Sequence, residues 1–529
     1  MSLAFNPTAD LYLFVPEMFL AVLGIVVLAI AVTTKKRWPL AAPGLTLVGL
    51  FVCLPLVASQ WRHDPDHVLF LGSYVVDDLA VFFKLIAIIA GGLVALVAVS
   101  YMRRVERDYG EFFALLVWSV LGLCLMAGAA DLIVILLAIE MVSLLSYVLT
   151  GYLRDEPRSA EASLKYFLFG AAASAVMIYG MSLLYGAAGT TKLYGLLGRP
   201  GLAQELALYP SRALQPIAAV LILVGLGFKI AMVPFHWWAP DAYEGAPTPV
   251  TAFLSVGPKA AGFAILARLL MLHENAVYPE WPKLVALLAL ATMFIGNWSA
   301  IWQGNIKRML AYSSIAHAGY MLIGVVAWRG AAWTVPAPVG MTTHGGLHAV
   351  LFYLAAYLFM NLGAFAVAIA VERATGAESL DQYQGLAKRS PFLALSMAVF
   401  LLSLSGIPPL AGFFGKFYVF NAAIRAAGDN SLIATLPFIH QPVNVLFWLA
   451  VAGVINSVIA VYYYMNVVRL MYFRPAAQAE GEPPAPPIVA PVGVQSVIII
   501  TLILTFLLGI LPSPLVRFLS ESLFPRGVS

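Results

Sequence analysis

Glu140 in DLIVILLAIEMVSLLSYVL, Lys229 in LVGLGFKIAMVPF, Lys259 in SVGPKAAGFAIL and Lys416 in IPPLAGFFGKFYVF each stand inside an apolar run. A charge at the centre of a bilayer costs roughly 2.5–3.5 kcal/mol on insertion scales, and less where it pairs or reaches the interface. The chemistry open to these residue types is proton carriage. Desolvation and a neighbouring like charge both make an ammonium give up its proton more readily, and a neighbouring carboxylate opposes this. Motion of Lys229 towards or away from Glu140 can therefore switch the proton affinity of the next lysine along. A purely structural Glu140–Lys229 ion pair is the alternative. Lys84 in LAVFFKLIAII and Lys165 in SLKYFLFGAAAS lie within about two turns of a helix end, where a long stem can snorkel to the interface. His317 in SSIAHAGYM sits mid-segment, where it can relay a proton or hydrogen-bond a neighbour.

Proline and glycine flank these charges. Pro234 cannot donate to the Ile230 carbonyl and its ring clashes there, so the helix should break just after Lys229. The run SGIPPLAGFFGKF, 405–417, should break its helix in the same way. Lys259 directly follows Pro258 and is flanked by Gly257 and Gly262. Non-helical backbone inside a membrane is tolerated only where it is buried in protein or lines a wet cavity. Both breaks therefore predict a hydrated polar path at mid-membrane.

Other chemistries find less support. His344 and His348 in HGGLH have a spacing that suits a metal, but no third ligand and no HExxH motif accompany them, so helix packing or a polar contact is the better reading. Cys53 and Cys124 read as two buried free thiols, and without Cys-x-x-Cys no iron–sulfur or zinc site is expected. No Walker loop or Rossmann fingerprint is present, so this chain is not expected to bind ATP or NADH by those means. Glu17 lies near a helix start, where the dipole favours a carboxylate. His236, Trp237 and Trp238 read as an interfacial anchor.

The elements that must hold these residues follow from composition. The chain has 529 residues, 62% hydrophobic and 11% charged, too little charge for a water-facing surface of this size. It reads as an all-α integral membrane protein. A crossing helix needs roughly 20 apolar residues, and about fourteen such stretches can be counted. No turn-bounded ten-residue alternation suggests a β-barrel. Lysines and arginines are concentrated on one set of alternating loops and helix ends, including Arg103, Arg104, Arg158, Lys307, Arg308, Arg373, Lys388 and Arg389. By the positive-inside rule that side is cytoplasmic, and both termini are expected on the far side. The N-terminal stretch MSLAFNPTADLYLF has no basic n-region or cleavage site, so no removable signal peptide is expected. The net charge of +4 is not gathered into a stripe, and nucleic acid is not an expected partner.

The seventh and twelfth stretches are the interrupted ones, five helices apart. Paired interruptions of this kind point to an inverted-repeat transporter. The expected organisation is residues 1–110 for helices 1–3, 111–272 for a first repeat of helices 4–8, 281–473 for a second inverted repeat of helices 9–13, and 474–529 for a Pro/Ala-rich connector and helix 14.

GFKIAMVPFHWWAPDAYEGAPTPVTAF, GNIKRMLAYSSIAHAGYMLIG and GIPPLAGFFGKFYVF closely resemble the antiporter-like membrane subunits of respiratory complex I, over nearly the whole chain. Lys416 and the short tail after the last helix resemble the N branch of that family, rather than the M branch, which typically has glutamate there, or the L branch, which carries a long lateral helix. The resemblance implies a fourteen-helix fold, proton translocation, and no redox cofactor in this chain; NADH, FMN, iron–sulfur clusters and quinone would belong to the parent complex. It implies Glu140 as the helix 5 acid, Lys229 as its helix 7 partner, Lys259 as the central helix 8 carrier and Lys416 as the helix 12 carrier towards the exit. Lys165 resembles a lysine typical of the start of helix 6. The implied partners are the lipid bilayer, K-type and M-type membrane neighbours and, through them, the peripheral redox arm. The implied location is a bacterial cytoplasmic (inner) membrane. Two related readings share the fold: a multi-subunit cation/proton antiporter, and a membrane-bound hydrogenase or ferredoxin-driven complex.

Overall fold

The computed structural model describes residues 7–34, 38–61, 67–105, 109–195, 199–208, 214–273, 281–329, 345–428, 433–436, 439–475 and 487–522. His344 of the histidine pair and most of the Pro/Ala-rich connector lie outside them. The long helices are α1 (Val15–Thr34), α2 (Ala41–Ala58), α3 (Asp78–Val105), α4 (Gly110–Gly128), α5 (Leu132–Thr150) and α6 (Pro157–Ala188). There follow α7 (Leu214–Ile230), α8 (Trp238–Gly245), α9 (Thr248–His273), α10 (Trp281–Ile301), α11 (Ile306–Val326) and α12 (Gly346–Thr375). The chain continues through α13 (Pro391–Ser405), α14 (Ala411–Gly428), α15 (Val445–Phe473), α16 (Val492–Ile510) and α17 (Ser513–Ser522). Among the described residues, 12 helices are long and apolar enough to cross a membrane, and two further apolar helices, α7 and α13, are shorter.

Those two short helices are the first halves of the stretches expected to break. Ile230 ends α7; Ala231 then takes a left-handed backbone (φ 59°), a conformation that costs a residue with a Cβ. The groups freed by the break find partners. Val233 N–H donates to the Thr292 hydroxyl of α10 (3.0 Å), and the Trp238 indole N–H donates to the Phe228 carbonyl (2.9 Å). Ser405 ends α13, and Gly406 follows at φ 88°, which glycine alone adopts without strain. By contrast α9 runs unbroken through Pro258. The proline beside Lys259 does not open its helix, because neighbours enclose α9 along its whole membrane-crossing length.

The helices sort by depth. α9, α11 and α12 are buried on nearly every side, whereas α1, α6, α15 and α16 turn most of their surface outward. A helix apolar all round belongs at the centre of a bundle, so the helices carrying Lys259 and His317 form the core. Two small hairpins, His67–Leu69 with Tyr74–Val76 and Ile433–Leu436 with Ile439–Asn444, interrupt the helical pattern.

Buried charges tie α1–α3 to one another and, through Arg268, to α9. Lys84 does not snorkel: its ammonium meets the Glu17 carboxylate at 2.7 Å and the Gln60 carbonyl at 3.1 Å, with 0% and 1% of the two ionic side chains exposed. Glu17 also accepts from Tyr74 Oη (2.9 Å). A lysine enclosed by three helices has no route to the interface, so pairing replaces snorkelling. Beyond this pair, Arg268 near the end of α9 clasps Asp77 with two nitrogens (2.7 and 2.8 Å) and donates from Nε to the Ala127 carbonyl (2.9 Å). Burial alone would raise the Asp77 carboxyl, but the Arg268 guanidinium outweighs it and holds the group below the usual carboxylate range.

The expected aromatic anchor is also split. Trp237 is exposed, but His236 is buried and Trp238 stacks on Tyr166 at 4.2 Å. The turn after α7 directs one indole outward and the other into the bundle.

Candidate proton path

Lys259, Lys229 and Lys416 are all buried, between 2% and 4% exposed. The Lys259 ammonium donates to both the carbonyl and the hydroxyl of Ser314 on α11. The Tyr357 ring of α12 lies 5.6 Å from its nitrogen. No carboxylate pairs with it among the described residues, so its charge rests on dipoles and a π face alone.

Lys229, the penultimate residue of α7, reaches back across α5. Its ammonium donates to the Ser143 hydroxyl at 2.9 Å. Glu140 stands one turn earlier on the same helix but forms no direct ion pair with Lys229, so the purely structural pair weighed as the alternative is not what this structure shows. The half-buried carboxylate has one oxygen without a partner and acts on Lys229 only through space. The reason is rotational. Glu140 falls between Leu137 and Leu144, on the stripe with Ile133 and Val148 that faces out of this chain. Lys229 and Lys259 are linked by close packing. A Cβ on Gly262, one turn past Lys259, would stand 2.7 Å from Ile230 Cγ2 and 3.6 Å from the Lys229 stem, so glycine lets α7 lie directly on α9.

Towards the second break, hydroxyls and an imidazole follow one another. Ser313, next to Ser314, shares a 2.5 Å hydrogen bond with the Tyr464 hydroxyl of α15. Tyr464 Oη meets His317 Nε2 at 3.2 Å, and His317 Nδ1 meets Tyr353 Oη of α12 at 2.7 Å. Both ring nitrogens of His317 are thus engaged, and both Lys259 and Lys416 act on it electrostatically. The Tyr353 ring packs on Gly415, beside Lys416. Lys416 lies 4.7 Å over the Tyr320 ring and donates to the Ser405 carbonyl (3.0 Å), which the broken helix leaves free. Its stem presses on Gly406 at 2.9 Å from the position of a Cβ, a second reason for glycine there.

Lys165 does not join this chain. It is 42% exposed and bound to Glu161 (2.8 Å) and Asp241 (2.9 Å) at the rim of a cavity of about 280 Å³. Arg308 ties Asp241 and Glu244 together at the same rim. Burial would raise the Asp241 carboxyl, but Lys165 and Arg308 together hold it below its ordinary value. Near the start of α6, Lys165 reaches water and acid partners, as an interfacial lysine does. His348 contacts the Leu519 carbonyl of α17 at 3.1 Å, a packing contact.

Sequence reasoning located the lysines, Glu140 and His317 but missed Tyr353, Tyr464, Ser313 and Ser314. The serines stand in the quoted SSIAH run and were legible as polar neighbours of the histidine. The tyrosines carried no such signal among 23 in the chain.

A family profile described as "NADH:quinone oxidoreductase/Mrp antiporter, TM" matches residues 129–439. The chain is 40% identical to NADH-quinone oxidoreductase subunit N of Trichlorobacter lovleyi over 519 residues, 97% of each. It is 31% identical to a chain of respiratory complex I from Thermus thermophilus with bound aureothin, at a TM-score of 0.75, covering 96% of this chain and 100% of that one. A chain of the Mrp complex from Dietzia sp. DQ12-45-1b shares the fold at a TM-score of 0.76 and 22% identity, covering 98% of each.

Proposed function

The chain belongs to the subunit N family of NADH-quinone oxidoreductases, and from that membership and the geometry above we propose the route its protons take. It is a proton-translocating membrane subunit of respiratory complex I, and NADH oxidation and quinone reduction take place in other subunits. In this reading the parent complex supplies NADH, FMN, iron–sulfur clusters and quinone, and this chain supplies side chains that take up and release protons.

Lys259 is the central carrier. A neutral amine there takes a proton from the Lys/Arg-rich side, and the Ser314 carbonyl and hydroxyl with the Tyr357 ring hold the resulting ammonium. The proton passes along Ser313 and Tyr464 to His317 Nε2. Hydroxyls can donate and accept at once, and an imidazole can take a proton on one nitrogen while releasing one from the other. Tyr353 leads from Nδ1 towards Lys416, which discharges to the far side. The observation that carries this route is His317, bonded on both nitrogens and placed under the influence of both lysines.

Lys229 is the switch. On Ser143 it stands free of Glu140, and in this reading a charged Lys229 would repel an ammonium at Lys259, whose helix α7 touches at Gly262. Drawn to Glu140, it would relieve that repulsion and favour proton uptake at Lys259. A carboxylate on an outward stripe of a membrane helix calls for a protein neighbour rather than lipid. The proposed occupant is an adjacent membrane subunit of K or M type, so Glu140 would receive the coupling signal from it.

The breaks after Ile230 and Ser405 support residues 111–272 and 281–473 as inverted repeats, with fourteen crossings if each interrupted helix counts once. The basic ends of α3, α6, α11 and α12 meet on one side, which supports a cytoplasmic assignment for that side and far-side termini.

Lys259→Ala tests the assignment. In the assembled complex in proteoliposomes it should lower the proton-to-electron ratio; a complex that pumps at the wild-type ratio without Lys259 removes the carrier from the scheme.

A further inference from the structure

Glu372 lies in the last turn of α12, where the negative end of the helix dipole opposes a carboxylate. No cation pairs with it among the described residues. Lys307 is close by but gives its ammonium to Glu378 (2.6 Å) and to the Ala246 carbonyl (2.8 Å). Glu372 instead accepts from two hydroxyls, Tyr101 Oη of α3 (2.8 Å) and Thr248 Oγ1, the first residue of α9. Tyr383, 1% exposed, sits within electrostatic reach of Glu372 and Glu378, and its hydroxyl has no hydrogen-bond partner. A partly buried carboxylate held by hydroxyls alone has weak support for its ionised form. Once protonated it gains an O–H that it can donate, which the ionised form lacks.

From this group the seam between α9 and α12 leads to Lys259. Thr248, Ser255 and Lys259 stand on α9, the last two about 10 and 16 Å beyond the first at 1.5 Å per residue. Ser255 accepts from Asn361 Nδ2 of α12 (2.6 Å), and Asn361 Oδ1 is buried without a partner. Polar groups therefore mark both ends of the seam, and each end holds an unsatisfied atom that a water molecule would satisfy.

We propose that Glu372 is the carboxylate that loads protons from the Lys/Arg-rich side onto Lys259, through water in the α9–α12 seam. Hydronium protonates the Glu372 carboxylate, the carboxyl passes that proton to seam water, and the neutral Lys259 amine receives one to become ammonium. Glu372 returns to the carboxylate for the next cycle. This rests on the reading of Lys259 as the central carrier.

The test compares the assembled wild-type complex with Lys259→Ala, Glu372→Gln and Glu372→Asp in proteoliposomes, measuring the proton-to-electron ratio during NADH:quinone turnover. Glu372→Gln should fall to the ratio of Lys259→Ala, and Glu372→Asp, which keeps the acid, should hold the wild-type ratio. A wild-type ratio for Glu372→Gln beside a lowered ratio for Lys259→Ala overturns the loading role alone. A loss shared equally by Glu372→Asp and Glu372→Gln assigns Glu372 to structure and also overturns it. A wild-type ratio for Lys259→Ala overturns the carrier reading instead. Should Glu372→Gln fail to assemble, Asn361→Leu decides, because it replaces the polar amide of the seam with an apolar side chain of similar size: a lowered proton-to-electron ratio supports a wet seam, and the wild-type ratio overturns it.

Discussion

Lys84 and Glu17 offer the sharpest energetic test, because two fully buried opposite charges meet at 2.7 Å with 0% and 1% exposure. Removing one partner leaves the other charge buried and uncompensated, at a cost of about 3–5 kcal/mol. Replacing both with apolar residues of similar size removes the desolvation penalty with the attraction, and is neutral to stabilising by roughly 1–4 kcal/mol. Tyr74 and Gln60, which lose an ionic partner either way, push the double variant towards the neutral end. With an unfolding entropy near 2.1 cal/mol/K per residue, 529 residues give about 1.1 kcal/mol/K. Lys84→Met or Glu17→Leu alone should then lower Tm by at least about 3–5 °C. That shift is a lower bound, since helices that persist in a micelle reduce the unfolding entropy. The assay is thermal unfolding of the purified chain in detergent for wild type, both single variants and the double. A double variant within about 2 °C of wild type, beside strongly destabilised singles, is the expected pattern. Additive losses, or singles that melt with the wild type, would refute the argument that the pair is desolvated and mutually compensating.

His317→Phe keeps the ring's bulk and removes both nitrogens, so the proton-to-electron ratio should fall while NADH:quinone turnover persists; an unchanged ratio would show that the route bypasses the imidazole. Asp241→Asn should loosen the rim held by Lys165 and Arg308. Because the folded Asp241 carboxyl is depressed, its stabilisation is present above the unfolded value near 3.9 and is lost as pH falls through the folded one. The Tm difference between wild type and Asp241→Asn should therefore be constant from about pH 5 to 8 and shrink below about pH 4, and a difference that grows on acidification would contradict the sign.

Much of the site was legible in sequence because the membrane makes charge conspicuous. Pro234 placed the end of α7 to within a residue of Lys229, and the Pro–Pro and glycine run placed the gap between α13 and α14. What escaped depended on rotation and on distance along the chain. Glu140 and Lys229 carry opposite charge, but the turn of α5 gives Ser143, not Glu140, to the ammonium. Lys84 looked like a snorkelling residue because its partner stands 67 positions earlier, on a helix whose packing no local pattern specifies. Pro258 stands beside Lys259, yet α9 carries it without a break inside an enclosed core. Tyr353 and Tyr464 could not be told from ordinary membrane aromatics until three helices brought their hydroxyls to one histidine.

The central claim is that Lys259 and Lys416 act in series on one proton path. It is tested most directly by the proton-to-electron ratio of the assembled complex carrying Lys259→Ala, Lys416→Ala or both, each normalised to NADH:quinone turnover. A series path predicts the same lowered ratio for either single variant and no further fall in the double. A double variant that falls below both singles, or a single variant at the wild-type ratio, would contradict it.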